Sequence, residues 1–207
     1  MFYFIRTPWW LKKLYNRYIW DFSPSQKTIY LTFDDGPHPA ATSFVLKELA
    51  KYNAKATFFC IGKNVAAHPE IYNRIIAENH AVGNHTHNHL NGWRTNIKQY
   101  VENILEAKPY INSMLFRPPY GKIKSSQVKL LSNLYPGFRI IMWSVLSADF
   151  DLTITPDKCL KNVLGNAKSG SIIVFHDSEK AFTNLEYTLP KVLEYFSKKG
   201  YAFDKII

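Results

Sequence analysis

The sequence predicts an α/β fold built on a mainly parallel sheet or barrel, and three observations lead to this prediction. Short β-rich runs alternate with stretches of helical spacing along the chain, as in successive βα units. The 207 residues, of which 46% are hydrophobic, are enough for one well-buried domain. Unusual polar residues directly follow several of the runs, which is where parallel α/β folds gather their functional groups.

The individual elements follow from composition and spacing. Runs rich in β-branched and aromatic residues predict strands over 28–33, 55–61, 80–85, 138–145, 171–176 and 201–206. Apolar residues at helical spacing, with Pro, Ser or Gly near the ends, predict helices over 41–52, 68–79, 96–114, 125–135, 157–167 and 184–200. No internal repeat or low-complexity segment interrupts the alternation.

Charge and cysteine content narrow the class of protein. The formal net charge is +10, but no block of five or six like charges is present, so nucleic acid is not the expected partner. Cys60 and Cys159 lack the spacing of a metal site or a disulfide framework, and Cys60 is expected to be buried. No apolar run approaches the ~18 residues of a membrane span, and "MFYFIR" does not have the order of a secretory signal. We therefore expect a cytoplasmic protein or one at a membrane surface.

The stretch "TFDDGPHP", residues 32–39, places two carboxylates side by side at a strand end. In a regular strand Asp34 and Asp35 would point to opposite faces, and Asp is also an ordinary turn residue. If the strand ends near Phe33 and Gly36 lets the backbone turn, both carboxylates can converge on one site. One aspartate could then bind a metal while the other acts as a base.

The stretch "HTHNH", residues 85–89, carries the second signal. The four-residue spacing of His85 and His89 allows both imidazoles to reach one ion, and His87 would then point away. Two histidines and one carboxylate form a common open zinc site, for which Asp35 is the natural third ligand. A divalent cation keeps such a carboxylate ionised and lowers the pKa of water from ~15.7 toward ~7.

Two later stretches contribute further candidates. In "FRPPYG", Arg117 could make a bidentate contact to a carboxylate, although a surface arginine before a proline turn is equally consistent. The stiff backbone at Tyr120 could direct an N–H toward a developing oxyanion. In "SIIVFHDS", His176 is either a core histidine with a buried partner or a general acid oriented by a carboxylate, for which Asp149 is the candidate.

In this order and at these separations, "TFDDGP", "HTHNH", "RPPYG", "ADF" and "VFHD" resemble the motifs of the polysaccharide deacetylase family, carbohydrate esterase family 4, with its NodB homology domain. The resemblance runs from about residue 27 to the C-terminus. It implies a distorted, incomplete (β/α) barrel and a divalent metal, usually zinc, with cobalt also accepted. It also implies hydrolysis of an N-acetyl group on an amino sugar, with release of acetate.

The resemblance assigns roles position by position. Asp34 would be the general base and Arg117 the residue that steers it. His176 would be the general acid, with Asp149 behind it. The remaining assignments are the metal ligands Asp35, His85 and His89 and the substrate-binding residues Pro119 and Tyr120.

Four positions depart from the family pattern or are left without an assigned role. Leu146 stands where many members have a second aspartate, Phe150 where Trp is common, and Val174 where Leu is common. These three changes concern the surroundings of the general acid and the acetyl pocket rather than the metal ligands. His38 is interpreted either as structural or as lining the substrate site.

Residues 1–26 are predicted to form an extension to the deacetylase domain, which would span residues 27–207. Thr7 before Pro8 predicts an N-cap and a helix from about 8 to 19. Basic residues would flank one face of that helix. The face itself would carry five apolar or aromatic residues, Leu11, Leu14, Tyr15, Tyr18 and Ile19. Such a helix either packs over an end of the barrel or contacts a membrane interface through residues 1–20.

Three functions remain open at this stage. The first is removal of N-acetyl groups from a saccharide that contains N-acetylglucosamine: peptidoglycan, a chitooligosaccharide or a lipid-linked sugar. The second is the same chemistry on another acyl group, such as the O-acetyl esters of xylan, a formamido sugar or a cyclic amide. The third is a non-catalytic carbohydrate-binding protein, which conflicts with the presence of every motif residue.

Overall fold

The computed structural model describes residues 3–207. The helices are α1 (Trp9–Leu14), α2 (Pro39–Ala50), α3 (Gly62–Ala67), α4 (Pro69–Ala77), α5 (Ile97–Ala107), α6 (Ser125–Leu134), α7 (Pro156–Leu164) and α8 (Phe182–Lys198). The strands are β1 (Thr28–Asp34), β2 (Ala56–Cys60), β3 (Ala81–Asn84), β4 (Leu115–Phe116), β5 (Arg139–Ile140), β6 (Val145–Leu146), β7 (Ile172–His176) and β8 (Ala202–Phe203). The sequence therefore forms the predicted alternation of strands and helices.

The strands form one sheet in the order β5-β4-β3-β2-β1-β7-β6, and β8 pairs with the beginning of β1. Every one of these ladders is parallel. Because β5 and β6 are the two ends of this order, the sheet curls into a barrel that its own ladders leave open. The predicted fold class, an incomplete (β/α) barrel, is confirmed.

The central strand β1 separates the core from the barrel interior by simple alternation. Ile29, Leu31 and Phe33 are fully buried in the main apolar cluster, together with side chains of α2 and α8. Thr32 and Asp34 point the other way, where both contact the same arginine side chain. A strand buried on both faces can hold polar groups only where partners are built in, and here they lie inside the barrel.

The predicted strand 138–145 is wrong in its middle: it consists of two short strands, β5 and β6. Between them, Met142 N–H donates to the Ile19 carbonyl and Ile19 N–H donates to the Ile140 carbonyl. This stretch therefore pairs with the N-terminal segment at Ile19, although Ile141 N–H still donates to the Phe116 carbonyl of β4 and Ser144 N–H to the Ile172 carbonyl of β7. Helix α3 and strand β4 were not predicted, because two residues of strand and six of helix are too short to show a period.

The predicted N-terminal helix 8–19 is also too long, since the structure has a helix only over Trp9–Leu14. Thr7 does not cap it, because its hydroxyl donates to the Trp143 carbonyl at 2.7 Å. Leu11 packs against the domain, whereas Leu14 is 66% exposed, so the predicted apolar face does not form. After Tyr15 the chain straightens, since Ile19 pairs with the middle of the divided strand.

Among the described residues, no helix has both the length and the apolar content needed to cross a bilayer.

Candidate active site

Five of the predicted site residues come together at the carboxyl ends of the parallel strands. Asp34 ends β1 and lies in register with His176, which ends β7. His85 directly follows β3, Arg117 directly follows β4, and Asp149 lies in the loop after β6. Neighbouring strands thus deliver these side chains to one edge of the barrel, as the sequence predicted.

The turn after β1 explains how both aspartates can serve one site. Asp35 has φ 81°, a left-handed conformation that an L residue adopts only when its surroundings enforce it. Its carbonyl accepts a 2.7 Å hydrogen bond from Asn64 Nδ2. Gly36 N–H donates to Asp177 Oδ1 at 3.0 Å, and a Cβ at this glycine would collide with the Asp177 carboxylate. The alternation of the strand therefore ends at Asp34, and the next carboxylate turns back toward the site.

Asp35, His85 and His89 form a cluster of three metal-ligating side chains. One ligand atom from each lies within 4.8 Å of the others. Asp35 Oδ1 is 3.2 Å from His89 Nε2 and 3.7 Å from His85 Nε2. This oxygen is buried and has no hydrogen-bond partner, which is costly unless a cation binds it. The donor set and the unpaired oxygen fit a divalent metal ion.

The surroundings of His85 prepare one ring nitrogen for a ligand. Its Nδ1 lies 2.7 Å from the Arg117 carbonyl. Because a carbonyl only accepts, Nδ1 carries the proton and Nε2 is left with its lone pair. Burial lowers the pKa of His85 to about 4 against the opposing effect of Asp34, so the ring is neutral. A neutral imidazole fixed through its second nitrogen is the form that metals bind.

The Asp35 carboxylate is favoured in its charged form. Burial acts to raise its pKa, but the facing His89, His176 and His85 lower it below its ordinary value. These histidines therefore favour a negative charge on Asp35.

Arg117 is completely buried inside the barrel. Its Nη1 donates to Asp34 Oδ1 and to Thr32 Oγ1, both at 2.7 Å, and its guanidinium lies 4.1 Å from the Phe59 ring centroid. The predicted bidentate contact is not formed, because Nε and Nη2 donate to the carbonyls of Ile141 and Met142. Burial lowers the Arg117 pKa while Asp34 opposes this, and the guanidinium stays charged.

His176 is held by a carboxylate on its far side. Asp149 Oδ1 lies 2.7 Å from His176 Nδ1, and Asp149 Oδ2 accepts the His176 backbone N–H at 2.7 Å. Burial works to lower the pKa of His176, but Asp149 outweighs this effect and, with Asp35 and Asp34 nearby, raises that pKa to about 9. Near neutral pH the ring therefore carries a proton that it can donate through Nε2.

The residues that depart from the family pattern lie around His176. Leu146 and Val174 are register partners in β6 and β7, and both are buried. The Phe150 ring lies edge-on to His176, with 5.1 Å between ring centroids. Phe150 thus gives the predicted general acid an apolar neighbour, while the Asp149 contact remains intact.

The remaining predicted residues border the same site. Tyr120 has φ 60°, and its ring lies 4.7 Å from the His89 ring and is half exposed, while Pro119 is buried. His87 points away, as predicted, with Nε2 3.6 Å from Glu106 Oε1. His38 caps α2 by accepting the Ala41 N–H, which supports its structural interpretation.

Sequence reasoning missed one buried residue of this region, Asp177. Its Oδ1 accepts from Gly36, its Oδ2 accepts from Thr42 Oγ1 at 2.5 Å, and its own N–H donates to the Asp34 carbonyl. Burial raises the Asp177 pKa to about 8. Its position next to His176 in "VFHD" was the available signal, and the fold uses it to fasten the turn that carries both aspartates.

The fold and the site define the chain as a hydrolase of the carbohydrate esterase type, built on an incomplete (β/α) barrel. Residues 22–135 match the family model described as polysaccharide deacetylase, and the chain belongs to this family. The predicted family and enzyme class, a deacetylase, are thereby confirmed. Members of the family are metal-dependent in general, and the cluster of Asp35, His85 and His89 could hold such an ion.

Individual relatives match most of the chain. A peptidoglycan-N-acetylglucosamine deacetylase of Bacillus cereus is 34% identical over 190 residues, covering 89% of this chain and 88% of that protein. A chitooligosaccharide deacetylase of Azorhizobium caulinodans is 33% identical over 160 residues, covering 74% of this chain and 75% of that protein. The crystal structure of the Bc1960 peptidoglycan N-acetylglucosamine deacetylase superposes with a TM-score of 0.87 at 31% identity, covering 97% and 95% of the two chains.

Proposed function

We propose that this chain removes N-acetyl groups from a saccharide that contains N-acetylglucosamine, with a peptidoglycan fragment or a chitooligosaccharide as the preferred substrate class. The observation that carries the proposal is the meeting of three groups of side chains at one barrel edge. These are a cluster of side chains of metal-ligating type, an aspartate held by a buried arginine, and a histidine held by an aspartate. The relatives at 33% and 34% identity, a chitooligosaccharide deacetylase and a peptidoglycan-N-acetylglucosamine deacetylase, support the amino-sugar substrate.

Asp35, His85 and His89 would hold a divalent cation, for which zinc is our first choice and cobalt the second. Two imidazoles and one carboxylate are an open donor set typical of catalytic zinc, and the unpaired buried Asp35 Oδ1 supports the assignment. When bound, such an ion polarises the acyl carbonyl and lowers the pKa of water.

Asp34 acts as the general base in this proposal. The contact with Arg117 Nη1 fixes the direction of the carboxylate at the end of β1. Asp34 takes a proton from the attacking water as the oxygen bonds to the acetyl carbonyl carbon. General base catalysis of this kind contributes about 10²-fold to 10⁴-fold to a rate.

His176 acts as the general acid on the other side of the scissile bond. Its ring is fixed by Asp149, and its raised pKa keeps it protonated until it meets the leaving nitrogen. Transfer of this proton to the sugar nitrogen allows the C–N bond to break, which releases acetate and the free amine. The Tyr120 backbone N–H would face the developing oxyanion, and Pro119 and the Tyr120 ring would border the sugar.

The test is acetate release by the purified, zinc-loaded protein from three substrates: N-acetylglucosamine oligomers, N-acetylated peptidoglycan fragments and acetylated xylan. Release from the amino-sugar substrates, lost in Asp34→Asn, is the expected result. Release from xylan alone would move the chain to the O-acetyl esterases. Full zinc binding without acetate or formate from any acylated saccharide would favour a non-catalytic binding protein.

We also propose that the N-terminal segment contacts an anionic membrane surface, which would place the protein in the cytoplasm or at a membrane. Trp9, Trp10 and Leu14 are 75%, 49% and 66% exposed, and Lys13 and Arg17 are exposed on the same segment. Exposed tryptophan beside basic residues suits a lipid interface. Sedimentation with phosphatidylglycerol vesicles should be reduced in a Trp9→Ser, Trp10→Ser variant. Equal recovery with neutral and anionic vesicles, or no recovery, would rule the contact out.

A further inference from the structure

The N-terminal segment reaches the active site as well as the surface. Leu146 N–H donates to the Ile5 carbonyl at 2.8 Å, Arg6 pairs antiparallel with Val145, and Thr7 N–H donates to the Ser144 carbonyl at 3.0 Å. Because this segment runs antiparallel to β6, its beginning lies at the carboxyl end of β6. That end leads directly into the loop that carries Asp149.

Tyr3 therefore meets the loop after β6. Its ring lies edge-on to Phe150, with centroids 5.5 Å apart and planes at 67°. Phe150 in turn lies edge-on to His176, with centroids 5.1 Å apart and planes at 72°. These three rings form a continuous series from the N-terminal segment to the proposed general acid. Edge-to-face contacts at these distances are attractive and restrict ring orientation.

A hydrogen bond holds the outer ring of the series in place. Tyr3 Oη donates to Asp151 Oδ2 at 2.6 Å, and Asp151 Oδ1 accepts from Thr153 N–H and Thr153 Oγ1. Burial and the contact with Asp151 raise the pKa of Tyr3 to about 12, so the hydroxyl remains a donor at neutral pH. Tyr3 is thus tied to the loop through both its ring and its hydroxyl.

The loop that Tyr3 contacts needs support from outside. Ala148 has φ 63°, a strained conformation immediately before Asp149. The Asp149 carbonyl accepts a 2.9 Å hydrogen bond from Asn184 Nδ2 on one side of the loop. On the other side, Phe150 is half-buried and is enclosed by Tyr3 and His176.

We propose that Tyr3 is a positioning residue, which presses Phe150 against His176 and so fixes the imidazole for proton donation. This proposal rests on the deacetylase function proposed above. It gives the N-terminal segment a second role, since the segment both fills the opening of the barrel between β5 and β6 and supports the acid side of the site.

The first test compares steady-state deacetylation of a soluble N-acetylglucosamine oligomer by three single variants. Tyr3→Ala should lower kcat about tenfold with KM changed less than twofold, because the loss concerns proton donation and not substrate binding. Tyr3→Phe keeps the ring contact and should stay within about threefold of the wild type. Tyr187→Ala is the matched control, since Tyr187 also donates to an aspartate, Asp157, but contacts no residue of the site.

A larger ring at position 150 tests the contact directly. In the Tyr3→Ala background, Phe150→Trp should recover most of the lost kcat, because the wider ring fills the space that the tyrosine leaves. Thermal unfolding of every variant shows whether the fold is kept. Wild-type kcat in Tyr3→Ala, or an equal loss in Tyr187→Ala, would overturn the proposal.

A second readout is independent of turnover. The His176 ring signals in a ¹H–¹³C correlation spectrum should shift in Tyr3→Ala and stay unchanged in Tyr187→Ala, because only the first variant releases Phe150. Unchanged His176 signals in Tyr3→Ala would contradict the positioning role even if kcat falls. If the wild-type protein releases no acetate, the proposed function fails, while this spectrum still decides the role of Tyr3.

Discussion

The site has two halves, the proposed acid and base in one and the proposed metal ligands in the other. They differ in whether the charged side chains find all their partners within the protein. Asp34 and His176 are each held by one charged partner, Arg117 and Asp149, through contacts of 2.7 Å. In the other half, Asp35 Oδ1 is buried without a hydrogen-bond partner between the rings of two histidines. The proposed acid and base therefore each have their partner within the chain, whereas the proposed ligand cluster leaves a buried acceptor that a cation would complete.

The largest expected effect on activity comes from emptying the proposed metal-ligand cluster. Removal of the metal by a chelator should abolish acetate release, with a loss of about 10³-fold or more, and added zinc should restore it. The same treatment should lower the melting temperature of the wild type, because the ion binds only the folded chain.

His85→Ala tests the proposed metal-ligand cluster without affecting the proposed acid and base directly. It should lose both the activity and the zinc-dependent change in melting temperature. Tyr110→Ala offers a control, since Tyr110 contacts His87 and none of the three ligands. If zinc raises the melting temperature of His85→Ala as much as that of the wild type, the ion is bound elsewhere.

The next largest effect comes from removing the charged partner of Asp34 in the other half of the site. Arg117→Met should destabilise the protein by about 3 kcal/mol or more, because it leaves Asp34 as a buried charge without its partner. Urea unfolding measures this loss. Acetate release should fall with it, since the Asp34 carboxylate then loses the contact that orients it.

Arg117→Lys keeps the charge but cannot replace all four hydrogen-bonding contacts of the guanidinium. It should therefore lie between the wild type and Arg117→Met in both measurements. Equal stability of all three proteins would contradict the pairing argument.

A smaller effect concerns pH. The proposed acid must be protonated, and the pKa of His176 is raised to about 9, so kcat should fall as the pH rises through about 9. Asp149→Asn removes the carboxylate that raises this pKa, while burial continues to lower it. The alkaline limb of the kcat profile should therefore move to lower pH, with a loss of about tenfold at neutral pH. An alkaline limb at the same pH in Asp149→Asn would show that another group sets it.

The smallest expected effect concerns stability at acid pH, and it comes from a histidine outside the site. His80 lies outside both halves, where its Nδ1 accepts the Ala56 N–H, and burial lowers its pKa to about 4. A lowered histidine pKa adds stability above its unfolded value near 6.5, and this stability is lost as the pH falls toward 4. After allowance for solvent screening we expect about 1 to 2 kcal/mol. His80→Gln should have a weaker dependence of the urea midpoint between pH 7 and pH 4.5, and an unchanged slope would refute this assignment.

The sequence was sufficient for those features that depend on local pattern. Alternating strands and helices predicted the parallel sheet, and polar residues after strands predicted which side chains meet. The turn at Gly36 was also predictable, because a glycine after two aspartates allows the chain to reverse. Local sequence pattern was therefore enough to predict that the site lies at the carboxyl ends of the strands.

The remaining features depend on contacts between distant segments. The sequence predicts a bidentate contact between Arg117 and a carboxylate. The Ile141 and Met142 carbonyls, which accept from its other nitrogens, are known only from the fold. The division of the predicted strand 138–145 likewise depends on Ile19, more than a hundred residues away along the chain. Such pairings leave no period in the sequence, so spacing alone could not predict them.

The most direct test of the account is to measure bound zinc and released acetate in one preparation of Asp34→Asn, with Asp35→Asn beside it. The two aspartates are neighbours in sequence, but they belong to different halves of the site. We predict full zinc content without acetate for Asp34→Asn, and loss of zinc together with acetate release for Asp35→Asn. Loss of zinc in Asp34→Asn, or acetate release at the wild-type rate from either variant, would contradict the division of the site into two halves.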